Sequence, residues 1–257
     1  MWKSTRFIAK YLYSIFASFY LFTIGIFTKR ERAYLAEFAA HFGFETRRKK
    51  PLTLLPQVSP DALIRQYPPI VLRGHEGISG NVSLLELMLI NSFIQTQKPK
   101  TLFEIGTFDG RTAYNMAANT DDGIVYTLDL PAENMETEFA ITGDKKFVPN
   151  SQRKLRFTGT NEEKKIKRLF GDSATFDFSP FHGKIDLLFI DGAHTYEYVI
   201  SDTQKTESMM RENGIVLWHD YGAWEGVTRA LNELQRTNPR YKNIKHIKGT
   251  SLAYINL

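Results

Sequence analysis

The chain has 257 residues, 42% of them hydrophobic, which suits one large α/β domain with an appended segment or two small domains. It contains no cysteine, which excludes disulfides, thiolate metal sites and a cysteine nucleophile. The formal net charge is +5, and the excess is concentrated at Lys29, Arg30 and Arg32 and again in residues 47–50. That placement favours a membrane surface over nucleic acid as the anionic partner.

Residues 1–45 are predicted to form a hydrophobic helix followed by a basic segment. No residue from Tyr11 to Thr28 is charged, and this run has the minimum length for a helix that spans a bilayer. Its many aromatic residues equally suit a helix in the headgroup region or a soluble helix packed on a domain. If residues 11–28 span a membrane, the heavier basic load that follows them places the rest of the chain in the cytoplasm. We therefore expect a cytoplasmic protein, with membrane attachment as an open alternative.

Residues 46–80 are predicted to be a linker, because five prolines and three glycines interrupt any long helix there. From Asn81 to the C-terminus helical and strand patterns alternate. Ser83 and Glu86 form a capping box that opens a helix over residues 84–97. Further helices are predicted at 111–119, 196–211 and 224–235, and strands at 101–106, 124–130, 165–171, 184–190, 214–218, 244–247 and 252–255.

This alternation predicts an α/β domain over residues 81–257 with a doubly wound, Rossmann-like sheet of seven mainly parallel strands. The last two strands read as a C-terminal antiparallel hairpin. The span from 131 to 164 is longer than the usual connection between strands, so it predicts a lid, an acceptor-binding insert or an excursion without fixed structure.

The first strand of this domain ends at Glu104 and Gly106, and Gly110 follows before the next helix. Glycines let the backbone turn tightly beneath a ligand, and the following helix offers free N–H groups. The glycine spacing is not that of dinucleotide sites, and a pyrophosphate would gain nothing from Glu104. An acid at this place instead suits a cationic ligand.

Residues 81–257 resemble class I methyltransferases that use S-adenosylmethionine (SAM), closest to the metal-dependent small-molecule O-methyltransferases of methyltransferase domain 24. That family includes macrolide-sugar, rhamnosyl and cephalosporin-biosynthesis enzymes. The resemblance rests on LFEIG at 102–106, LFIDGAH at 188–194 and VLWHDY at 216–221. It implies SAM as the cofactor, bound over the Gly106 to Gly110 turn. It further implies that Glu104 faces the methionyl ammonium, directly or through water, that Asp129 accepts from the ribose hydroxyls, and that Asp172 and Ser173 border the adenine.

Two acids, Asp191 and Asp220, end strands that should be adjacent, and each has a histidine nearby, His194 and His219. Two carboxylates suit a hard ion such as Mg²⁺, or Mn²⁺ if an imidazole joins, with His219 either a ligand or an outer donor. Such a metal would lower the pKa of an acceptor hydroxyl. We assign His194 as the general base, because imidazole has a suitable pKa. The catechol-type O-methyltransferases that this arrangement resembles carry a lysine at that offset.

The predicted function is a divalent-metal-dependent SAM O-methyltransferase that acts on a hydroxyl of a small molecule or of a sugar or glycolipid. Two alternatives stay open at this point. An NAD(P)-dependent oxidoreductase would share the topology, but the glycine spacing argues against it. A catalytically inactive, membrane-associated SAM-binding protein would not need the intact Asp191, His194 and Asp220.

Overall fold

The computed structural model describes residues 2–28, 31–32, 34–35, 51–131, 137–139 and 154–257. It divides the chain into two units, Met1–Lys49 and Lys50–Leu257. The first unit contains helix α1 (Trp2–Thr23) and a 3-10 turn, Gly25–Phe27. Within the described residues, no helix combines the length and the apolar character that crossing a membrane requires. Residues 29–30 and 47–50 of the two basic clusters, and most of the 131–164 insert, lie outside the described residues.

The second unit is an α/β domain in which strands and helices alternate as predicted. Its helices are α2 (Pro60–Leu63), α3 (Leu84–Gln97), α4 (Arg111–Asn119), α5 (Tyr196–Met209) and α6 (Glu225–Thr237). Its strands are β1 (Gln57–Val58), β2 (Thr101–Ile105), β3 (Ile124–Asp129), β4 (Ile166–Phe170), β5 (Ile185–Ile190), β6 (Met210–Trp218), β7 (Lys245–Ile247) and β8 (Ala253–Asn256). Short 3-10 turns lie at Asn161–Lys165, Ser179–Phe181 and Pro239–Tyr241.

One sheet joins these strands in the order β1-β7-β8-β6-β5-β2-β3-β4. All neighbouring pairs are parallel except those of β8, which runs antiparallel to β6 and to β7. The predicted C-terminal hairpin is therefore confirmed. The predicted count of seven strands is one too low, because the two-residue strand β1 adds to the edge of β7. A strand of two residues is too short to show the alternation of apolar and polar residues by which a strand is recognised in a sequence.

Alternate side chains of each central strand enter two separate hydrophobic clusters, one on each face of the sheet. On β2, Leu102 packs with helices α3 and α4, whereas Phe103 packs with α5 and α6. A parallel strand covered on both faces is apolar at successive positions, which is why β2 and β5 read as continuous apolar runs. The predicted capping box of α3 is formed, with Ser83 and Glu86 each bonding the backbone of the other.

The segment predicted as a linker contacts the domain over its described residues. Asn119 of α4 both accepts from Val71 N and donates to Val71 O, at 2.8 and 2.7 Å. Asn115 makes the same pair of bonds with Arg73, at 2.9 and 2.8 Å. These two asparagines satisfy the backbone of the passing chain much as a neighbouring strand would. The predicted domain boundary at residue 81 stays a prediction, although residues before it pack on the domain.

Helix α5 buries a carboxylate, Asp202, that is 1% exposed. Neither of its oxygens makes a well-formed hydrogen bond within the described part of the chain. Burial raises the pKa of Asp202 to about 7, and the nearby Ser173 and Lys205 only partly oppose this shift. The folded state therefore keeps a proton on Asp202 over a pH range in which the unfolded chain has lost it.

We predict that Asp202→Asn stabilises the protein more at pH 8 than at pH 5. Because the pKa of Asp202 is higher in the folded state, the contribution of this residue to the free energy of unfolding falls as pH rises from about 4 to 7. Above pH 7 the destabilisation by the buried charge stays constant. At roughly 1.4 kcal/mol per pKa unit, the advantage of the variant should be about 2–3 kcal/mol larger at pH 8. Urea unfolding at both pH values measures it, with the exposed Asp121→Asn as control. An equal advantage at the two pH values would contradict the prediction.

Candidate active site

The carboxyl ends of β2, β3, β5 and β6 surround a cavity of about 360 Å³. It lies where the strand order reverses between β2 and β5, which is the crevice where parallel sheets bind ligands. Its volume is within the range of small-molecule sites. Eight of the ten site residues predicted from the sequence line it, namely Gly106, Asp129, Asp172, Ser173, Asp191, His194, His219 and Asp220.

Gly106 forms the floor of the turn after β2. Its backbone has a φ of 101°, and a Cβ atom built on it would lie 2.0 Å from the carbonyl oxygen of Asp191. Gly110 also has a positive φ, 78°, but a Cβ atom there would collide with the ring of Phe157 at 2.6 Å. Both positions therefore require glycine, and Gly106 faces the cavity whereas Gly110 packs against Phe157.

Glu104 does not line the cavity. It is 1% exposed and accepts a hydrogen bond of 2.5 Å from the hydroxyl of Thr127 on the neighbouring strand β3. Burial raises the pKa of Glu104 well above its usual range, the Thr127 bond opposes this, and the negative charges of Asp191 and Asp129 add to it. As placed, Glu104 is a buried acid beneath the turn, so its predicted contact with an ammonium group stays a prediction.

Asp129 ends β3 and lines the cavity, where its carboxylate is held by backbone donors. Oδ2 accepts from Phe108 N at 3.0 Å and Oδ1 accepts from Leu130 N at 2.9 Å. Burial nevertheless raises the pKa of Asp129 to about 6. The side chain is therefore fixed in orientation at the cavity wall, and each oxygen keeps a further lone pair, which suits a pair of neighbouring hydroxyl donors.

Asp172 has both carboxylate oxygens engaged within the protein. Oδ2 accepts from the hydroxyl of Tyr198 at 2.9 Å and from Glu138 N at 2.7 Å, and Oδ1 accepts from Ala174 N at 2.9 Å. Tyr198 also lines the cavity and was not predicted as a site residue. From sequence it reads as one of many aromatic residues on a helix, which core packing explains equally well.

The catalytic and metal-binding residues predicted at the ends of β5 and β6 lie together in the wall of the cavity. His194 Nε2 lies 2.7 Å from Asp220 Oδ2, and the His194 ring stacks on Trp224 at 4.4 Å and 10°. Asp220 has a left-handed backbone, with a φ of 64°. His219 Nδ1 lies 2.9 Å from Asp191 Oδ1 and 3.5 Å from Asp220 Oδ2. The structure thus brings all four predicted side chains together.

Glu86, which the sequence showed only as a helix cap, belongs to this cluster. Its Oε2 atom accepts from Ser83 N at 2.7 Å and lies 3.4 Å from His219 Nε2. Its Oε1 atom accepts from both the backbone N and the hydroxyl of Ser251, each at 2.7 Å. The capping motif gave no signal for this second role, because Ser251 and His219 approach Glu86 only in the folded domain.

The carboxylates around His219 decide its charge. Although burial opposes it, the bonds to Asp191, Asp220 and Glu86 raise the pKa of His219 well above its usual range. Burial alone would raise the pKa of Asp220. Hydrogen bonds from His194 and His219 outweigh it and hold that pKa well below its usual range. These carboxylates therefore favour the charged form of His219, whose positive charge compensates theirs, whereas burial raises the pKa of Asp191.

Asp191, His219 and Asp220 also form a candidate metal centre, the same three residues that the sequence predicts. One ligand atom from each lies within 4.8 Å of the others. The two carboxylates are donors that a hard divalent ion prefers. Both nitrogens of His219 face carboxylates, so the imidazole would have to give up a proton before it could coordinate an ion.

A segment before α3 closes one wall of the cavity through Ser79, Gly80 and Asn81. Arg111, at the start of α4, is 1% exposed and holds this segment by donating to Gly74 O at 2.7 Å and Val82 O at 2.8 Å. The wall is thus anchored to the same turn that carries Gly106. Sequence reasoning missed Arg111, because an arginine at a helix start usually lies on the surface.

Comparison with known proteins agrees with this geometry. Residues 103–221 match methyltransferase domain 24, a family described as a methyltransferase domain. This match covers less than half of the chain, and the fold around it is shared with solved O-methyltransferase structures.

The relatives found are distant. An uncharacterized protein of Acanthamoeba polyphaga mimivirus is 30% identical over 122 residues, and this chain spans 51% of that protein while matching over 47% of its own length. The O-methyltransferase from Bacillus cereus in complex with SAH has a TM-score of 0.50 at 16% identity, covering 70% of this chain and 84% of that one. A putative caffeoyl-CoA O-methyltransferase from Staphylococcus aureus has a TM-score of 0.50 at 15% identity, covering 69% and 85%. These two structures support the fold.

Proposed function

We propose that this protein transfers a methyl group from SAM to a hydroxyl group of a small molecule. The observation that carries the proposal is one cavity with Asp129 at one side and the Asp191, His194 and Asp220 cluster at the other. The first side suits a nucleoside and the second suits proton removal from an acceptor. The Bacillus cereus structure of the same fold contains S-adenosylhomocysteine (SAH), the product of such a transfer, which supports the assignment.

The cofactor would lie over Gly106, which lines the cavity and lets the ends of β2 and β5 approach each other beneath it. Asp129 would accept from the two ribose hydroxyls with the lone pairs that Phe108 N and Leu130 N leave unused. Ser173 would border the adenine. Asp191 and His194 line the remaining space, so an acceptor hydroxyl held there would lie beside them.

His194 is the proposed general base, and Asp220 orients it. With Asp220 accepting at Nε2, the imidazole is held on the face of Trp224 at the cavity wall. A carboxylate at this position also stabilises the imidazolium that forms when the ring takes the acceptor proton. Methyl transfer itself needs alignment of oxygen, methyl carbon and sulfur, which the walls of the cavity would supply.

Asp191 and Asp220, with His219 in its neutral form, fit Mg²⁺ or Mn²⁺ by donor type. When bound, such an ion would supply a Lewis acid that lowers the pKa of the acceptor hydroxyl. Without it, the protonated His219 supplies the compensating positive charge between the same carboxylates. We propose metal assistance as part of the function, with a sugar or glycolipid hydroxyl as the favoured acceptor.

We predict that SAH binds the full chain and that Asp129→Asn weakens binding roughly 10–100-fold, the usual cost of losing a charged hydrogen-bond acceptor. Since the pKa of Asp129 is about 6 and the ionised form accepts both hydroxyls, wild-type affinity should rise from pH 5 to pH 7.5. The variant should lose this pH dependence. Isothermal titration calorimetry measures it, with Asp121→Asn as control. A folded wild-type protein that does not bind SAH would refute the proposed function.

We predict that His194→Ala lowers SAH release from SAM by roughly 10²–10⁴-fold, the usual contribution of a general base, while SAH affinity stays within about twofold. The assay screens phenols, catechols and free sugars as acceptors, each with added Mg²⁺ or with EDTA. Asp191→Asn should abolish any stimulation by Mg²⁺. Equal turnover with EDTA and with Mg²⁺ would reject metal assistance, and unchanged turnover in His194→Ala would reject the base.

Contact of residues 11–28 with a membrane surface is a further part of the proposal. The run carries no charge and is rich in aromatic residues, which favour the headgroup region. The full chain should float with vesicles that contain about 30% anionic lipid, whereas a chain lacking residues 1–30 should not. Flotation of neither protein would reject the membrane contact and leave the enzymatic proposal untouched.

A further inference from the structure

Side chains on one face of α5 contact the loop that follows β4. Tyr198, Asp202 and Lys205 are spaced four and three residues apart and therefore share this face. Tyr198 bonds the carboxylate of Asp172, Asp202 lies next to Ser173, and Lys205 Nζ donates to Ala174 O at 3.1 Å. Consecutive loop residues are thus each met by a polar group of the same helix.

Tyr198 connects this loop to the cavity and to the insert. Its side chain lines the cavity, and it is only 2% exposed. Its hydroxyl shares Asp172 Oδ2 with the backbone N–H of Glu138, and its ring meets the ring of Phe139 edge-on at 5.3 Å. Burial and the hydrogen bond to Asp172 raise the pKa of Tyr198 to about 12, so the hydroxyl stays a donor at neutral pH.

If the hydroxyl of Tyr198 is removed, the carboxylate of Asp172 cannot easily find another hydrogen-bond donor in its place. It is 3% exposed, and its other bonds come from the backbone of Ala174 and Glu138. A buried carboxylate that loses a donor must rotate, admit water or take up a proton. Each of these responses would move the loop at 172–173 that borders the cavity.

We propose that Tyr198 is a positioning residue for the cofactor, which acts by holding Asp172 so that residues 172–173 keep their place in the cavity wall, at its nucleoside end. This inference rests on the proposed function, since it presupposes that the cavity binds SAM. It assigns Asp172 a different role from direct contact with adenine, because its oxygens are already engaged by Tyr198, Glu138 N and Ala174 N.

Tyr198→Phe keeps the ring and removes only the hydroxyl, so it tests this role directly. We expect SAH affinity, measured by calorimetry on the full chain, to fall roughly tenfold, the typical cost of one hydrogen bond to a buried charge. The matched control is Tyr241→Phe. Tyr241 is also fully buried, and its hydroxyl donates to the backbone of α5 at Thr203 O, 2.8 Å away. This control should lose a comparable amount of stability and bind SAH within twofold of wild type.

A double-mutant cycle separates positioning through Asp172 from a general loss of packing. If Tyr198 acts through Asp172, Tyr198→Phe combined with Asp172→Asn should bind SAH no more weakly than Asp172→Asn alone. Additive losses, or Tyr198→Phe binding within twofold of wild type, would overturn the inference. Should Tyr198→Phe fail to fold, Tyr198→His, which keeps a donor, takes its place and should bind within threefold of wild type. Absence of SAH binding by the wild-type protein would overturn the proposed function together with this inference.

Discussion

The approach of Gly106 to the backbone carbonyl of Asp191 is the constraint on which the site depends. A single Cβ atom at residue 106 would lie 2.0 Å from that oxygen, so the ends of β2 and β5 can meet only if this position is glycine. Their meeting places the turn that would hold a cofactor directly beside the carboxylate of the catalytic cluster. One cavity therefore contains residues from the ends of both strands, which an in-line transfer between two bound molecules requires.

Charge compensation within the cluster follows from the same crowding. Glu86, Asp191 and Asp220 converge from α3, β5 and the end of β6, and three buried carboxylates would repel each other strongly in a medium of low polarity. The imidazolium of His219 bonds all three and makes the cluster tolerable. A divalent cation would solve the same electrostatic problem. The residues are therefore arranged for a positive charge at this place.

The features that sequence predicted were those with a local signature. The strand ends at Asp129, Asp191 and Asp220 follow continuous apolar runs, and Ser83 with Glu86 is a capping motif readable within four residues. The features that it missed, such as the contacts of Glu86 with His219 and Ser251, depend on the approach of distant segments in the folded domain. Glu104 occupies a motif position, but whether an acid there faces the cavity or the strand beside it depends on the register of β2 against β3. Pattern alone cannot fix that register, since both strands are apolar on both faces.

Helix α5 connects two parts of the cavity wall, the turn that carries His194 and the loop that carries Asp172. It begins two residues after His194, so its start fixes the turn that carries this histidine, while Tyr198 and Lys205 further along hold the loop after β4. A displacement of this helix would move His194 and the loop after β4 together. The buried, poorly satisfied Asp202 between them costs stability above neutral pH. Packing of Val199 with the sheet and α6, and the hydrogen bonds of Tyr198 and Lys205, offset this cost.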